Sequence, residues 1–412
     1  GPKYQRPGHP VPENYRDGPP QQGAQSFADL KWFEVFRDDT LQALIREALE
    51  HNYSARIAAQ RVMAAREQIT VTRSPIFPNL SGAATINRQT GLEHNTNNSF
   101  GGGAVSWEID LWGRIRRATE AARADYFAQE EVRNGILQTL VSDVASGYFS
   151  LLQLDQALSA TRQSLESRRT SLRLVQARLT GGVSNKLEVD QALTLVATAA
   201  AQKVDLERAV TQTENALCLL LGRNPGPIQR PKPLAEQNFT GVDIPAGLPS
   251  SLLDRRPDIR QAEQALIAAN ARVGVAKAAF FPSIALTANG GYQSAEITGL
   301  LDNSATVLNF GGAVSLPLFN AGKLWANYKA SKYSREAALL GYRQSILAAF
   351  RDVSDALVAY AKAGEYLQHQ EELVRTLRDQ LRLSDLRYRG GVTSYLEVLD
   401  TERQALSAEI QY

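Results

Sequence analysis

Two hydrophobic periods divide this chain. In the first, apolar residues stand seven apart: Leu137, Val144, Leu151, Leu158, Leu165, Leu172 and Leu179. No proline falls between Pro78 and Pro225. A strict seven-residue ladder predicts a left-handed supercoiled helix. From Gly113 to Thr180 it would span roughly 68 residues, about 100 Å at the helical rise. The second period is two. It runs through Leu80–Asn87 and again through Ala104–Ile109, where Val105, Trp107 and Ile109 share one face and Ser106 and Glu108 the other. Alternation predicts strands, joined here through the polar stretch Gly91–Asn98. Ahead of them, Asp38 or Asp39 caps a helix carrying Leu41, Leu44, Ile45 and Ala48, and a second helix follows from Ala55 to about Arg73.

The whole plan then repeats. Phe281-Pro282 parallels Phe77-Pro78 at an offset of 282 − 78 = 204. Gly312–Leu316 parallels Gly103–Trp107 at 312 − 103 = 209, so the second hairpin loop is longer by 209 − 204 = 5 residues. The offset of 209 holds along Ile346, Val353, Tyr360, Leu367, Val374, Leu381 and Tyr388, and at the paired glycines (390 − 181 = 209). One register held this far indicates internal duplication. Residues 223–250 are rich in Pro, Gly and Gln and read as irregular. The first return helix stops at Gly222. Its partner is therefore expected near 222 + 209 = 431, past Tyr412, as if a C-terminal segment were missing.

Gly181-Gly182 and Gly390-Gly391 interrupt each long helix. Glycine supplies the positive φ that ends a helix. Asn185 with Glu188, and Ser394 with Glu397, then match the spacing of a capping box that starts the next one. Residues 180–186 and 389–395 thus read as tips of helical hairpins.

The pattern describes an α+β chain with four strands near the roughly 9–11 residues of a transmembrane β-strand. Four strands close no barrel, and an open edge in lipid leaves backbone groups unpaired. Either several chains share one barrel, with Val105, Trp107, Ile109, Val314, Leu316 and Leu318 toward lipid and Ser106, Glu108 and Ser315 toward water, or the sheet is soluble and packs on the helices. Pattern alone leaves both open. Composition narrows the functions. Lys plus Arg is 45 against 43 Asp plus Glu, which argues against a nucleic-acid partner. His9, His51, His94 and His369 show no metal spacing, no phosphate-cradling loop occurs, and Cys218 sits in an apolar run as a buried thiol. No enzyme, metal or cofactor is expected. No signal peptide is present, which suits a cytoplasmic or a mature exported chain.

Several motifs resemble the TolC-like outer membrane efflux proteins, specifically the NodT-type lipoprotein branch of these outer membrane factors. They are Gly247–Glu263, which contains Asp254-Arg255-Arg256-Pro257-Asp258, then the strand-to-helix junctions Asp110–Arg117 and Phe319–Lys323, and both glycine tips. Gly1–Pro7 is similar to the segment after the lipid-bearing cysteine, so an anchor is expected to have preceded it. The resemblance implies a homotrimer with a twelve-stranded transmembrane barrel, four strands per chain, continued by a coiled-coil α-helical barrel in the periplasm. On this reading strands lie in 79–111 and 283–319. Helical barrel lies in 40–78, 112–222, 256–282 and 320–412, and the arm and equatorial segments in 1–39 and 223–255. Such proteins are passive outer membrane ducts of tripartite efflux systems, opened by an inner-membrane transporter and a periplasmic adaptor. A soluble structural coiled coil is the alternative.

The resemblance also implies roles at the tips. Carboxylates matching Glu397 and Asp400 would ring the periplasmic gate, though Glu397 is equally a cap, since Glu188 is its repeat mate. Asp400 stands against Gln191 (400 − 209 = 191), and a gate role competes with a solvated charge. Tyr388 either packs on the ladder or bonds the neighbouring hairpin through Glu188, with Thr393 at the same interface. Gly181, Gly182, Val183, Gly390, Gly391 and Val392 would contact the adaptor.

Overall fold

The computed structural model describes residues 2–12, 15, 30–90, 95–237, 251–295 and 306–412. Gly247–Ser250 of the signature, and parts of the expected 1–39 and 223–255 segments, lie outside the described residues. In chain order the elements are α1 (Trp32–Val35), α2 (Asp39–His51), α3 (Tyr53–Arg73), β1 (Asn79–Thr90), β2 (Asn95–Ile109), α4 (Arg114–Thr180), α5 (Lys186–Leu220), α6 (Leu252–Arg255), α7 (Pro257–Ala278), β3 (Ser283–Ser294), β4 (Thr306–Ser315), α8 (Lys323–Arg389) and α9 (Tyr395–Gln411). The duplicated helices α4 and α8 each run 67 residues. The chain divides into two compact units, and α4 and α8 each contribute to both.

The first unit comprises Gly1–Val11, Ile57–Gly135 and Leu252–Ala349. Its sheet is antiparallel throughout, in the order β1-β2-β3-β4. Pairing extends through Asn95–Asn98, opposite Asn87–Thr90. The sequence pattern puts those asparagines in the loop, but backbone pairing needs no apolar side chain. The register aligns Trp107 with Leu286, Ile109 with Ile284, and Ile284 with Val314. Leu80 pairs with Val105, Val105 with Ala288, and Ala288 with Phe310, so these share that face. Ser106, Glu108, Thr287 and Ser315 fall on the other. The apolar face is exposed on the outer strands, Leu80 at 76% and Phe310 at 77%, and half-buried at Val105, Ile109 and Ile284 on the inner ones. One expectation needs correction. Leu316 lies past the end of β4, not on it, because Pro317 follows and offers no N–H for a ladder bond.

Asp110 turns β2 into α4. Its carboxylate accepts from the N–H groups of Ile115 and Arg116 at 3.0 and 2.9 Å, and Gly113 makes the bend at φ +77°. Trp112 stacks on Phe281 with ring centroids 4.7 Å apart and donates to the Pro282 carbonyl. The first junction thus holds the base of β2 against that of β3. Below the sheet, α4 and α7 meet through buried alanines, Ala121 and Ala124 against Ala268 and Ala271, where small side chains permit close approach. Residues 2–12 of the proline-rich arm carry no helix or strand and are pinned by side chains. Tyr4 donates to Glu263, Arg6 pairs with Asp254 and Glu263, and Asn270 donates to the Pro2 carbonyl.

The second unit comprises Pro12–Arg56, Ile136–Ser251 and Phe350–Tyr412. Its main core joins α2, α4 and α5 through Leu41, Ile45, Val144, Tyr148, Leu151, Leu217 and Leu221. The cap of α2 is Asp38, which accepts from the N–H groups of Thr40 and Leu41 and from Tyr148 and Gln237. On the ladder, Val144, Leu151, Leu158 and Leu165 are buried. In the second copy Val374 and Tyr388 are buried, while Tyr360 and Leu367 are exposed.

Candidate functional site

The hairpin tips are built alike. In the first, Gly182 N–H bonds the Leu179 carbonyl and Val183 N–H the Arg178 carbonyl; in the second, Gly391 bonds Tyr388 and Val392 bonds Arg387. These nested bonds satisfy the last carbonyls of α4 and α8 and require a left-handed residue, met by Gly182 at φ +76° and Gly391 at φ +72°. Gly181 and Gly390 precede them, and Val183 and Val392 stand exposed at the apex.

The restart of each helix corrects the expected capping box. Asn185 does accept from Glu188 N–H at 3.0 Å, but Ser394 makes no side-chain cap. Each glutamate instead accepts from the hydroxyl four residues before it, Ser184 to Glu188 at 2.5 Å and Thr393 to Glu397. These pairs are repeat mates (393 − 184 = 209; 397 − 188 = 209). A hydroxyl in the turn reaches the carboxylate more directly than the backbone N–H of the cap residue does.

The repeats diverge at one arginine position. Arg387 stays on its own hairpin, paired with Glu397 at 3.1 Å. Its mate Arg178 (387 − 209 = 178) crosses to the other hairpin and lies 4.6 Å from the centroid of Tyr388. Tyr388 is buried against Tyr395, at 5.0 Å between centroids. Its hydroxyl is buried with no hydrogen-bond partner among the described residues, so within one chain it does not bond Glu188. Burial is the main cause raising its pKa. Asp400 is exposed and accepts from Arg403 at 2.9 Å and Gln404 at 2.5 Å. The Arg403 bond, then the Gln404 bond, hold its carboxyl below the ordinary value. The mates of these two donors are Thr194 and Leu195, so the first tip has no counterpart to this carboxylate–guanidinium–amide cluster.

Sequence reasoning passed over several residues here. Leu187 and Leu396, repeat mates at 64% and 61% exposure, stand beside the apical valines. Their signal was an apolar residue directly after a helix start. Arg168 on α4 and Glu402 on α9 form a buried pair at 3.9 Å. Nothing in local spacing joins residues so far apart in the chain. Among the described residues no group of ligating side chains could hold a metal ion, and no helix is long and apolar enough to cross a membrane.

The family described as outer membrane efflux protein matches residues 44–223 and 248–412. The chain is 39% identical over 423 residues to the solvent efflux pump outer membrane protein SrpC of Pseudomonas putida, covering 99% of this chain and 89% of that protein. It is 34% identical over 413 residues to the probable outer membrane lipoprotein SilC of Salmonella typhimurium, covering 99% and 89%. The crystal structure of the open state of the Neisseria gonorrhoeae MtrE outer membrane channel superposes with a TM-score of 0.88 at 34% identity, over 100% of this chain and 93% of that one.

Proposed function

The chain belongs to the outer membrane efflux protein family and is an outer membrane channel of an efflux system; from this premise we propose how its parts divide the work. Three copies close one barrel. The observation that carries this is the sheet: its apolar face is exposed on the outer strands, and β1 and β4 each leave one edge unpaired among the described residues. Because all pairs are antiparallel, β4 of one copy fits beside β1 of the next, and twelve strands close without an edge. Val105, Trp107, Ile109 and Val314 then face lipid. Leu316, just off the strand, sits at the membrane boundary. The relative named a lipoprotein supports a lipid anchor on the native protein as well.

The helical hairpins extend into the periplasm, and solutes pass along them without chemical change. Asp400 narrows the tip by bringing three carboxylates to one axis. Glu188 and Glu397, held by Ser184 and Thr393, shape the turns, and Tyr388 sits where the two hairpins meet. An inner-membrane transporter supplies the substrate. The periplasmic adaptor seats on the exposed apex, on Val183 and Val392 with Leu187 and Leu396 beside them and the backbone of Gly181, Gly182, Gly390 and Gly391 between.

The test of conduction is a planar bilayer. Purified protein should insert and give discrete conductance steps; an inert protein that folds and inserts would overturn the reading. Docking is tested separately. Val183→Glu together with Val392→Glu should abolish cross-linking to the adaptor while leaving bilayer conductance in place. Cross-linking at the wild-type level would move the adaptor off the apex.

A further inference from the structure

Charges are rare in the packed interior of the second unit, yet two sit together where its hairpins meet. The Arg168 and Glu402 side chains are 3% and 9% exposed, and Arg168 Nε stands 3.9 Å from Glu402 Oε2. Arg168 spends one donor on the Leu195 carbonyl of α5 at 3.1 Å. Its Nε and Glu402 Oε2 have no hydrogen-bond partner among the described residues. The pair therefore joins three helices, α4, α5 and α9, without the short bidentate geometry that offsets desolvation.

Apolar clusters seal it on both sides. Toward the apex lie Val175, Ala192, Tyr388, Tyr395, Val398 and Leu399. On the other side Val374 and Leu377 meet Ala405 and Ala408. Burial pushes the Glu402 carboxyl up and the Arg168 guanidinium down, and in each case the partner's charge only partly opposes the shift. The other ionisable groups facing Glu402 are Tyr395 on its own helix and Asp385 on α8, and Asp385 is held by Arg389 at 2.8 Å.

We infer that Arg168 and Glu402 are positioning residues for the tip: a buried, imperfectly paired couple whose cost sets how readily the second hairpin parts from the first. Separation of α9 from α4 and α5 hydrates both charges, so the couple works against the packed arrangement while each member alone would work against it more strongly. A fully apolar replacement favours packing. This rests on the reading of the hairpin ends as the channel's gate.

The sign of each variant follows. Arg168→Met leaves Glu402 buried without its counter-charge. At neutral pH the tip should part more often, with open probability in a planar bilayer rising at least about tenfold. Acid should reverse this, because a carboxyl whose packed pKa is raised takes up its proton on packing, and packing gains as pH falls. The double variant Arg168→Met with Glu402→Leu should open less often than wild type and lose that pH response, although Asp385 and Tyr395 are still present. Asp400→Ala is recorded alongside as an independent probe of the gate. If Asp400→Ala opens the channel while Arg168→Met matches wild type at neutral and acid pH, the couple is wrong and the gate stands. If Arg168→Met behaves as described and Asp400→Ala does nothing, the couple controls opening and Asp400 is only a solvated charge. Should Arg168→Met fail to fold, the double variant decides: a folded double variant that opens as often as wild type overturns the inference.

Discussion

At the scale of single residues, the two tips are an internal experiment. They share the glycine turn and the hydroxyl–glutamate pair, so these serve the turn itself. They differ at Asp400 against Gln191, at Arg403 and Gln404 against Thr194 and Leu195, and in where the matched arginines go. What differs is free to serve the gate. Asp400→Ala removes no cap and no core contact, so folding and trimer assembly should persist. Single-channel conductance should rise and block by periplasmic-side multivalent cations should weaken, while Gln191→Ala changes neither. Wild-type conductance and block in Asp400→Ala would leave the carboxylate without a gating role. A second residue carries fold stability. Asp38 is buried and accepts four hydrogen bonds. Burial opposes its ionisation, but the N–H groups of Leu41 and Thr40, with Gln237 and Tyr148, outweigh that and lower its pKa. A depressed carboxyl stabilises the fold at neutral pH and loses that contribution only as pH falls below the ordinary value of 3.8. Asp38→Ala should cost about 1–2 kcal/mol as a lost cap, read as a lower denaturation midpoint at pH 7, and the gap to wild type should shrink toward pH 2.

At the scale of elements, the sheet offers the sharpest contrast. Trp107 and Ser106 are neighbours in β2 on opposite faces. Arginine on a lipid face costs roughly 2–4 kcal/mol near the bilayer midplane and much less in a water-filled lumen. Trp107→Arg should therefore lower barrel stability in an unfolding titration, and Ser106→Arg should scarcely move it; a larger loss at Ser106 would mean that the faces are reversed, and equal losses that neither face alone meets lipid. The seven-residue ladder, the tips and the duplication were legible because each is a local period or a fixed offset. The ends of β4 and of the hairpin loop were less so, since Asn95–Asn98 carry no apolar signal and Leu316 continues an alternation that Pro317 ends. The Ser184–Glu188 and Thr393–Glu397 pairs lay within the right five residues, but sequence spacing does not say whether a glutamate turns to a backbone N–H or to a hydroxyl. Arg168 and Glu402 were invisible, because their meeting depends on how α4, α5 and α9 pack.

At the scale of the whole molecule, one chain supplies four strands of a barrel, with the outer edges of β1 and β4 unpaired among the described residues. Closure by three copies satisfies every backbone group that the membrane would otherwise strand. The mass of the purified protein in detergent, corrected for bound detergent, tests this most directly. A stable particle of three chains is the predicted result, and a stable monomer that still spans the bilayer would contradict it.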